Sequence, residues 1–233
     1  MVDLLIVRHG ESQWNKENRF TGWVDVDLSD KGITEAKEAG QLIKKSNMDF
    51  ALAHTSFLRR AVKTLWLIQE ESGIFNLPVF PAWELNERHY GALTGLNKAE
   101  TTKKYGDAQV KIWRRSYDIR PPLLEQGNAN NPSSDKRYNK LPDSERPLGE
   151  SLADTMVRVS RYFESTISLQ LQKNNNILIS AHGNSLRALV KYLENMSDAE
   201  VLELNIPTGK PLHYKLNWQN CKWDIIEKGY LGN

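Results

Sequence analysis

One cysteine, Cys221, in 233 residues excludes an intramolecular disulfide, and with it the small stapled scaffolds of secreted proteins. No apolar run approaches the ~20 residues that cross a bilayer, and the N-terminal one, LLIV, is too short for a secretory signal. Excess charge is missing as well. The 31 Lys+Arg stand against 29 Asp+Glu, which argues against a general nucleic-acid binder. Internal repeats and linker-like stretches are absent. The hydrophobic share of 39% and charged share of 26%, with a mean hydropathy of -0.58, are those of an ordinary folded domain. The expectation is one domain over residues 1–233, cytoplasmic, without membrane or nucleic acid as partner, and with a small acidic ligand.

VDLLIV at 2–7 is the kind of run buried on both faces of a parallel sheet, and Arg8 and His9 follow at its carboxyl end. After a polar loop, Ser29 or Asp30 is placed to cap a helix whose Ile33, Ala36, Gly40 and Ile43 recur at steps of three and four. FALAH reads as a second strand. Thr55 or Ser56 then caps a helix with Leu58, Ala61 or Val62, Leu65 and Ile68 on one face. LPVFPAW reads as an edge strand because of its two prolines, and 97–115 as helix in pieces around Gly106. Residues 118–147 hold five prolines among many Asn, Ser and Asp, so an irregular insertion is expected there, serving as a functional cover or a mobile segment. Helical spacing returns at Leu152, Met156, Val159, Phe163 and Ile167. NILISAHGNSLRALVKYL reads as strand, turn and helix, and PLHYKLNW as one more strand before an aromatic tail. This alternation predicts an α/β fold, a mostly parallel sheet sandwiched by helices. Such sheets hold ligands just beyond the carboxyl ends of their strands. RHG and AHG both fall there, so His9 and His182 are expected over one pocket.

Imidazole serves as nucleophile, base or metal ligand according to its neighbours. Here Arg8 adjoins His9, and Arg59-Arg60 opens the helix after FALAH. Guanidinium groups repel a metal cation but grip a phosphate bidentately, and helix N-termini after strands add donors for an anion. One charge pair at 4 Å is worth ~4 kcal/mol at an effective dielectric of 20, so several arginines together read as a phosphate pocket. Phosphoryl transfer needs a nucleophile, donors on the equatorial oxygens and a proton carrier. His9, held unprotonated by neighbouring cations, suits the first role and Glu87 in LNERHYG the last. Gly10 and Gly183 would let the backbone approach the ligand. Metal hydrolase chemistry is disfavoured because the histidines are scattered and the best two have cationic company.

The runs LLIVRHGESQWNKENRFTGWVDVDLSDKG, TSFLRRAVKT, ELNERHYGALTGLNKAE, WRRSYD and AHGNSLRALVK, followed by IPTGKPLHYKL, resemble the cofactor-dependent phosphoglycerate mutases of the histidine phosphatase superfamily. The resemblance implies a phosphoglycerate mutase-like domain in which His9 becomes a phosphohistidine. Arg8, Arg60 and His182 would surround the phosphoryl group, and Glu87 would donate and accept the hydroxyl proton. Ser12, Asn15, Thr21, Gly22, Arg88, His89, Tyr90, Lys98, Arg114, Arg115, Gly183 and Asn184 would make the substrate site. It implies the glycolytic and gluconeogenic interconversion of 3-phosphoglycerate and 2-phosphoglycerate, primed by 2,3-bisphosphoglycerate and without metal, in a homodimer or homotetramer. The alternative within the superfamily is a phosphatase or bisphosphoglycerate synthase/phosphatase acting on small phosphorylated metabolites. A silent phospholigand binder is a third reading, opposed by the intact pair His9 and Glu87. Family members often continue into a mobile Ala- and Lys-rich tail where this sequence has Gly229-Tyr230-Leu231-Gly232-Asn233, so closure is expected to fall to 118–147.

Other candidates have plainer readings. His54 ends a strand but matches no catalytic position, so a structural role is expected. His213 and, despite its neighbour Glu87, His89 read as structural or surface residues. TGKP at 208–211 is not a phosphate-binding P-loop, because Leu204 stands where the first glycine is required. The seven tryptophans are expected in core and cover rather than as a base-stacking platform.

Overall fold

Strand β1 (Val2–Arg8) is buried on both sides: Leu4 and Ile6 enter one hydrophobic core and Leu5 and Val7 another, as the alternation of a strand requires. The computed structural model describes residues 1–125 and 127–232. Gln126, inside the expected irregular segment, and Asn233, at the end of the sequence, lie outside the described residues. After β1 come α1 (Gln13–Lys16), α2 (Asp30–Ser46), β2 (Leu52–Thr55), α3 (Arg59–Ser72), β3 (Val79–Pro81), α4 (Lys98–Tyr105) and α5 (Asp107–Arg115). The second half has α6 (Leu152–Tyr162), α7 (Ser168–Leu171), β4 (Ile177–Ala181), α8 (Gly183–Glu194), α9 (Asp198–Glu203), β5 (Pro211–Gln219) and β6 (Lys222–Tyr230).

Among the described residues the strands form one six-stranded sheet in the order β3-β2-β4-β1-β5-β6. β1, β2, β3 and β4 run parallel, and β5 and β6 add an antiparallel edge. Helices α2 and α3 cover one face through Ala39, Ile43, Leu65 and Ile68. Leu152, Val159, Leu186 and Leu189 of α6 and α8, with Val201 of α9, cover the other. This is the expected α/β sandwich. No helix among the described residues is long and apolar enough to cross a membrane.

Local chemistry explains where expectation and structure part. Ser29, not Asp30, caps α2, its hydroxyl accepting from Gly32 N at 3.1 Å. Neither Thr55 nor Ser56 caps α3, whose N-cap is Leu58 without a side-chain bond. Thr55 Oγ1 instead donates to Ser180 O across the sheet, and Ser56 Oγ lies 2.7 Å from His182 Nε2. The aromatic tail is a strand. Asn220 and Cys221, at φ of 50° and 58°, make a two-residue turn whose twist suits a hairpin, which the sequence reading missed because neither is the usual glycine. Trp23 and Trp83 are buried, whereas Trp66 is 61% exposed and is neither core nor cover.

Residues 118–147 are irregular, with short 3-10 turns at Pro132–Ser134, Lys136–Tyr138 and Asp143–Glu145. The segment is docked rather than suspended. Tyr138 is buried against Trp23 and Trp83 and its hydroxyl accepts from Asn86 Nδ2 at 2.9 Å. Gly10 serves the fold as well, because a Cβ there would lie 2.1 Å from the Gly32 carbonyl oxygen. Its missing side chain admits the N-terminus of α2 rather than a ligand.

Helices α2 and α3 approach closely at Gly40, where a Cβ would lie 2.7 Å from Glu71 Cβ and 3.0 Å from Ile68 O. Gly40→Ala is therefore expected to destabilise the fold by roughly 1–3 kcal/mol through overpacking, read from the urea midpoint. An unchanged or raised midpoint would contradict this account of the contact.

Candidate functional site

The pairing of β1 with β4 places Arg8 opposite Ala181, so the next residues, His9 and His182, emerge side by side. Their ring centroids are 4.9 Å apart at 62°. On the other side of β4, Thr55 of β2 pairs with Ser180, which delivers Ser56 to His182 and starts α3 in time to bring in Arg60. Three adjacent strand ends thus supply one cluster.

His9 has a defined tautomer. Its Nδ1 lies 2.6 Å from the Gly10 carbonyl oxygen, an acceptor only, so Nδ1 carries the proton. Nε2 keeps its lone pair and accepts from Arg60 Nε at 3.3 Å. Burial, then the charges of Arg60 and Arg8, hold the His9 pKa well below the usual imidazole value, against the raising effect of the Gly10 bond. A neutral ring with a directed lone pair is the nucleophilic form.

The cations around it are fixed. Arg60 NH1 and NH2 donate to the carbonyls of Val24 and Gly22 at 3.0 and 2.8 Å, and Arg8 NH1 donates to Ile206 O at 2.8 Å. Arg8 Nε, His182 Nδ1 and Thr21 Oγ1 are buried without a hydrogen-bond partner among the described residues. Buried orphan donors are costly, and here Arg8 and Thr21 line the same cavity as His9, with the His182 ring beside it. Ser56 Oγ accepts from Leu58 N at 3.1 Å and meets His182 Nε2. Donation of its proton to Nε2 leaves His182 Nδ1 as an N–H donor. Burial followed by the charge of Arg60 lowers the His182 pKa well below the usual value, so this ring is also neutral.

Glu87 Oε1 accepts from Arg88 N at 2.8 Å and from Asn184 N, in the first turn of α8, at 3.0 Å. Among the described residues Oε2 has no protein hydrogen bond. A carboxylate held by one oxygen with the other directed to the cavity suits proton exchange with a bound hydroxyl.

These groups line a cavity of about 150 Å³. Of the residues expected from sequence, Arg8, His9, Asn15, Thr21, Arg60, Glu87, Tyr90, Lys98, Arg114, Arg115, Gly183 and Asn184 face it. Five do not, and four of these stand behind or beside one that does. Ser12 caps α1 and accepts from Asn15 N at 3.2 Å. Gly22 offers its carbonyl to Arg60, and His182 stands beside His9. Arg88 is fully buried, stacks over the Tyr90 ring at 4.7 Å and donates to Arg114 O at 3.1 Å. His89 is neither on the surface nor in the cavity. Its Nδ1 accepts from Gly91 N at 3.0 Å, and burial first, with Arg158 also lowering it, takes its pKa to about 4.

The cavity also recruits Arg19, Arg187, Leu204, Asn205 and Ile206, which the sequence reading did not select. Arg187 had a usable signal, since it lies one turn after Asn184 on the same helix and donates to Asn184 Oδ1 at 2.9 Å. The others arrive on loops whose direction no local pattern encodes. None of the described residues of 118–147 lines the cavity, so the expected cover is not what encloses it in this structure. His54 is a structural residue, its two ring nitrogens 2.8 Å from Tyr162 Oη and 2.7 Å from Gln170 Oε1. His213 Nε2 pairs with Asp3 at 2.7 Å.

The family model of the histidine phosphatase superfamily (branch 1) matches residues 4–131 and 125–229. The chain belongs to this superfamily. Solved structures of the same fold include a mycobacterial glucosyl-3-phosphoglycerate phosphatase complexed with VO3, 22% identical, covering 97% of this chain and 98% of that one at a TM-score of 0.73. A putative alpha-ribazole-5'-P phosphatase from Escherichia coli is 20% identical, with coverage of 96% and 94% and a TM-score of 0.70. The product of an open reading frame of Mycobacterium tuberculosis is 24% identical, with coverage of 100% and 99% and a TM-score of 0.66. At these identities the likeness is one of fold. It places this member of the histidine phosphatase superfamily among proteins of nearly the same length and architecture.

The depressed histidines have a consequence with a definite sign. Below the unfolded value of 6.5 the unfolded chain binds protons that the folded chain refuses. Their contribution to stability is therefore complete above about pH 6.5 and is lost as pH falls, for His89 down to about 4. The urea midpoint is expected to be lower at pH 5 than at pH 7.5, and less so in His89→Gln. Nitrogen NMR at pH 6 is expected to show His9 neutral with its proton on Nδ1. A ring half-protonated at that pH contradicts the site as described.

Proposed function

We propose that this histidine phosphatase superfamily member moves a phosphoryl group through His9, and that its reaction is the interconversion of 3-phosphoglycerate and 2-phosphoglycerate. The observation that carries the reading is a second set of cations in the cavity. Beyond Arg8 and Arg60 stand Arg19, Lys98, Arg114, Arg115 and Arg187, against a single lining carboxylate among the described residues, that of Glu87. Burial, with Arg114 and Arg8 adding to it against the raising charges of Tyr90 and Glu87, lowers the Lys98 pKa. Burial and the charges of Arg115 and Arg88 bring Arg187 to about 10. Crowded cations of this kind are relieved by an anion. A plain phosphomonoester satisfies only the set beside His9. A substrate with a further carboxylate or phosphate satisfies both.

In the proposed reaction His9 Nε2 attacks phosphorus while the bond from phosphorus to the substrate oxygen breaks, and Glu87 gives that oxygen its proton. Arg60 Nε, released from the Nε2 lone pair, joins Arg8 Nε and His182 Nδ1 as a donor to the phosphoryl oxygens. The Nδ1 bond to Gly10 O steadies the positive ring. The cycle on 3-phosphoglycerate starts from the charged His9: the free 2-hydroxyl surrenders its proton to Glu87 and attacks phosphorus, the nitrogen–phosphorus bond breaks, and the 2,3-bisphosphoglycerate so formed gives its 3-phosphoryl group back to His9 by the step above, leaving 2-phosphoglycerate. 2,3-Bisphosphoglycerate, whose two anionic ends match the two cation sets, would supply the phosphoryl group that charges His9; Arg8 and Arg60 would hold one end, and Lys98, Arg114 and Arg115 the other.

A second reading has support from the solved relatives, two of which are phosphatases by name. In it the same phosphohistidine passes its group to water, as a phosphatase of small phosphorylated metabolites. Product balance separates the two. The mutase reading expects isomerisation of 3-phosphoglycerate that depends on 2,3-bisphosphoglycerate, with little phosphate released. Release of phosphate in step with substrate loss, without isomer, establishes the hydrolase instead.

His9→Ala is expected to abolish the acid-labile phosphoprotein and all turnover while the fold persists, and full activity in that variant would end the mechanism. Vanadate, which imitates five-coordinate phosphorus, is expected to inhibit, and a chelator to have no effect. Lys98→Ala is expected to raise KM for 3-phosphoglycerate by roughly 10-fold, about 1.4 kcal/mol. KM for p-nitrophenyl phosphate, which lacks a second anion, should change little. Equal effects on both would remove the case for a second anion subsite.

A further inference from the structure

The loop that carries Glu87 is gripped from behind by one arginine that touches no part of the cavity. Arg158 of α6 and Glu150, just before that helix, are both buried at 4% exposure and form a bidentate pair. Nε donates to Glu150 Oε1 at 2.7 Å, and NH2 to Oε2 at 2.9 Å. The remaining donors go to consecutive bends of the loop. NH1 donates to Glu84 O at 2.5 Å and Asn86 O at 2.9 Å, and NH2 to Glu87 O at 3.0 Å. All five N–H donors of the guanidinium are thereby used, three of them on the backbone at and just before the proton carrier. Glu150 completes the grip from the other side. Its Oε2 accepts from His89 N at 2.8 Å and its own N–H donates to His89 O at 2.9 Å. Trp23 Nε1 adds a second donor to Glu87 O at 2.6 Å.

Residues 86–89 lack strand partners of their own, so their course depends on these bonds. Glu87 Oε1 must meet both Arg88 N and Asn184 N while Oε2 stays directed to the substrate, a geometry set by where its Cα is held. A buried ion pair is weak evidence of added stability, because an apolar replacement of the same shape often serves as well. A planar fork with five donors has no apolar or lysine equivalent when three carbonyls and a carboxylate must be met at once.

We infer that Arg158, locked by Glu150, is a positioning residue for proton transfer: it fixes the backbone of residues 84–89 so that Glu87 meets the leaving oxygen. The inference rests on the reading of Glu87 as the proton carrier of a phosphohistidine mechanism. The test exploits the leaving group. An alkoxide needs Glu87's proton as its bond to phosphorus breaks, whereas p-nitrophenolate leaves without one.

The full chain is labelled at His9 from 2,3-bisphosphoglycerate or from p-nitrophenyl phosphate, and the rate of phosphoenzyme formation is measured for wild type, Glu87→Gln, Arg158→Lys and Glu150→Gln. In Arg158→Lys the rate from the alkyl donor is expected to fall on the order of 10- to 100-fold, while the rate from the aryl donor stays within about 3-fold, and Glu150→Gln should fall in the same sense by less. Arg158→Lys added to Glu87→Gln should cost little further, since the arginine acts through the carboxylate.

Labelling from the aryl donor doubles as the check on folding. Loss of both donors in parallel in Arg158→Lys and in Glu150→Gln would mean a structural role alone and overturn the inference. Retention of both donors overturns it too. If Glu87→Gln shows no preference between donors, the proton-carrier reading itself falls, whatever the arginine variants do. A wild type labelled by neither donor removes the phosphohistidine and the inference with it.

Discussion

Everything at the site depends on the parallel pairing of β1 with β4 in one register. Arg8 opposite Ala181 is the contact that sets His9 next to His182, and the Ala181 carbonyl accepts from His9 N at 3.0 Å to close the ladder. The register is specified by burial. Both strands are apolar on both faces, and a slip by one residue would exchange the side chains committed to the two cores. The hydrophobic effect thus places two polar rings with a precision that polar contacts alone would not provide.

Once the rings are in place, the electrostatic problem is to keep arginines close to an imidazole when, among the described residues, no carboxylate is in ion-pair contact with them. The structure does this with carbonyl dipoles. Val24 and Gly22 hold Arg60, Ile206 holds Arg8, and Val201 O, 2.5 Å from NH2, holds Arg187. Neutral acceptors anchor each guanidinium while leaving its charge available to an incoming anion. The cup's donors are held by the protein's own backbone, and donors fixed in this way contribute most to stabilising developing charge. The two histidines stay neutral because burial first, and the nearby arginine charges next, penalise their protonated forms.

A second layer gives the first its geometry. Ser12, Gly22, Arg88 and His182 were expected from the sequence to be site residues, and the structure stands them behind the cavity wall. Motif spelling records that a residue matters at a position without recording which way it points. Arg158 and Glu150 illustrate the converse. Both lie in or beside a helix with ordinary amphipathic spacing, and nothing local distinguishes a buried arginine that grips three carbonyls from one on a solvated face. Likewise β6 hid behind a turn without glycine, and the 118–147 segment had the composition of a loose cover. Its single buried tyrosine, Tyr138, which docks it onto Trp23 and Trp83, could not be told from an exposed one.

The linear order of residues determined the alternation of strands and helices, the two apolar faces of β1 and β4, the edge character of β3 and the arrival of Arg8 and His9 at a strand's carboxyl end. Those features rest on short-range periodicity, proline geometry and side-chain type, all of which are written locally. Tertiary structure decided which arginines share the cavity, which tautomer each histidine holds, and which buried fork steadies Glu87. Each of these is set by contacts between segments distant in sequence, and their geometry exists only after the sheet has brought its strand ends together.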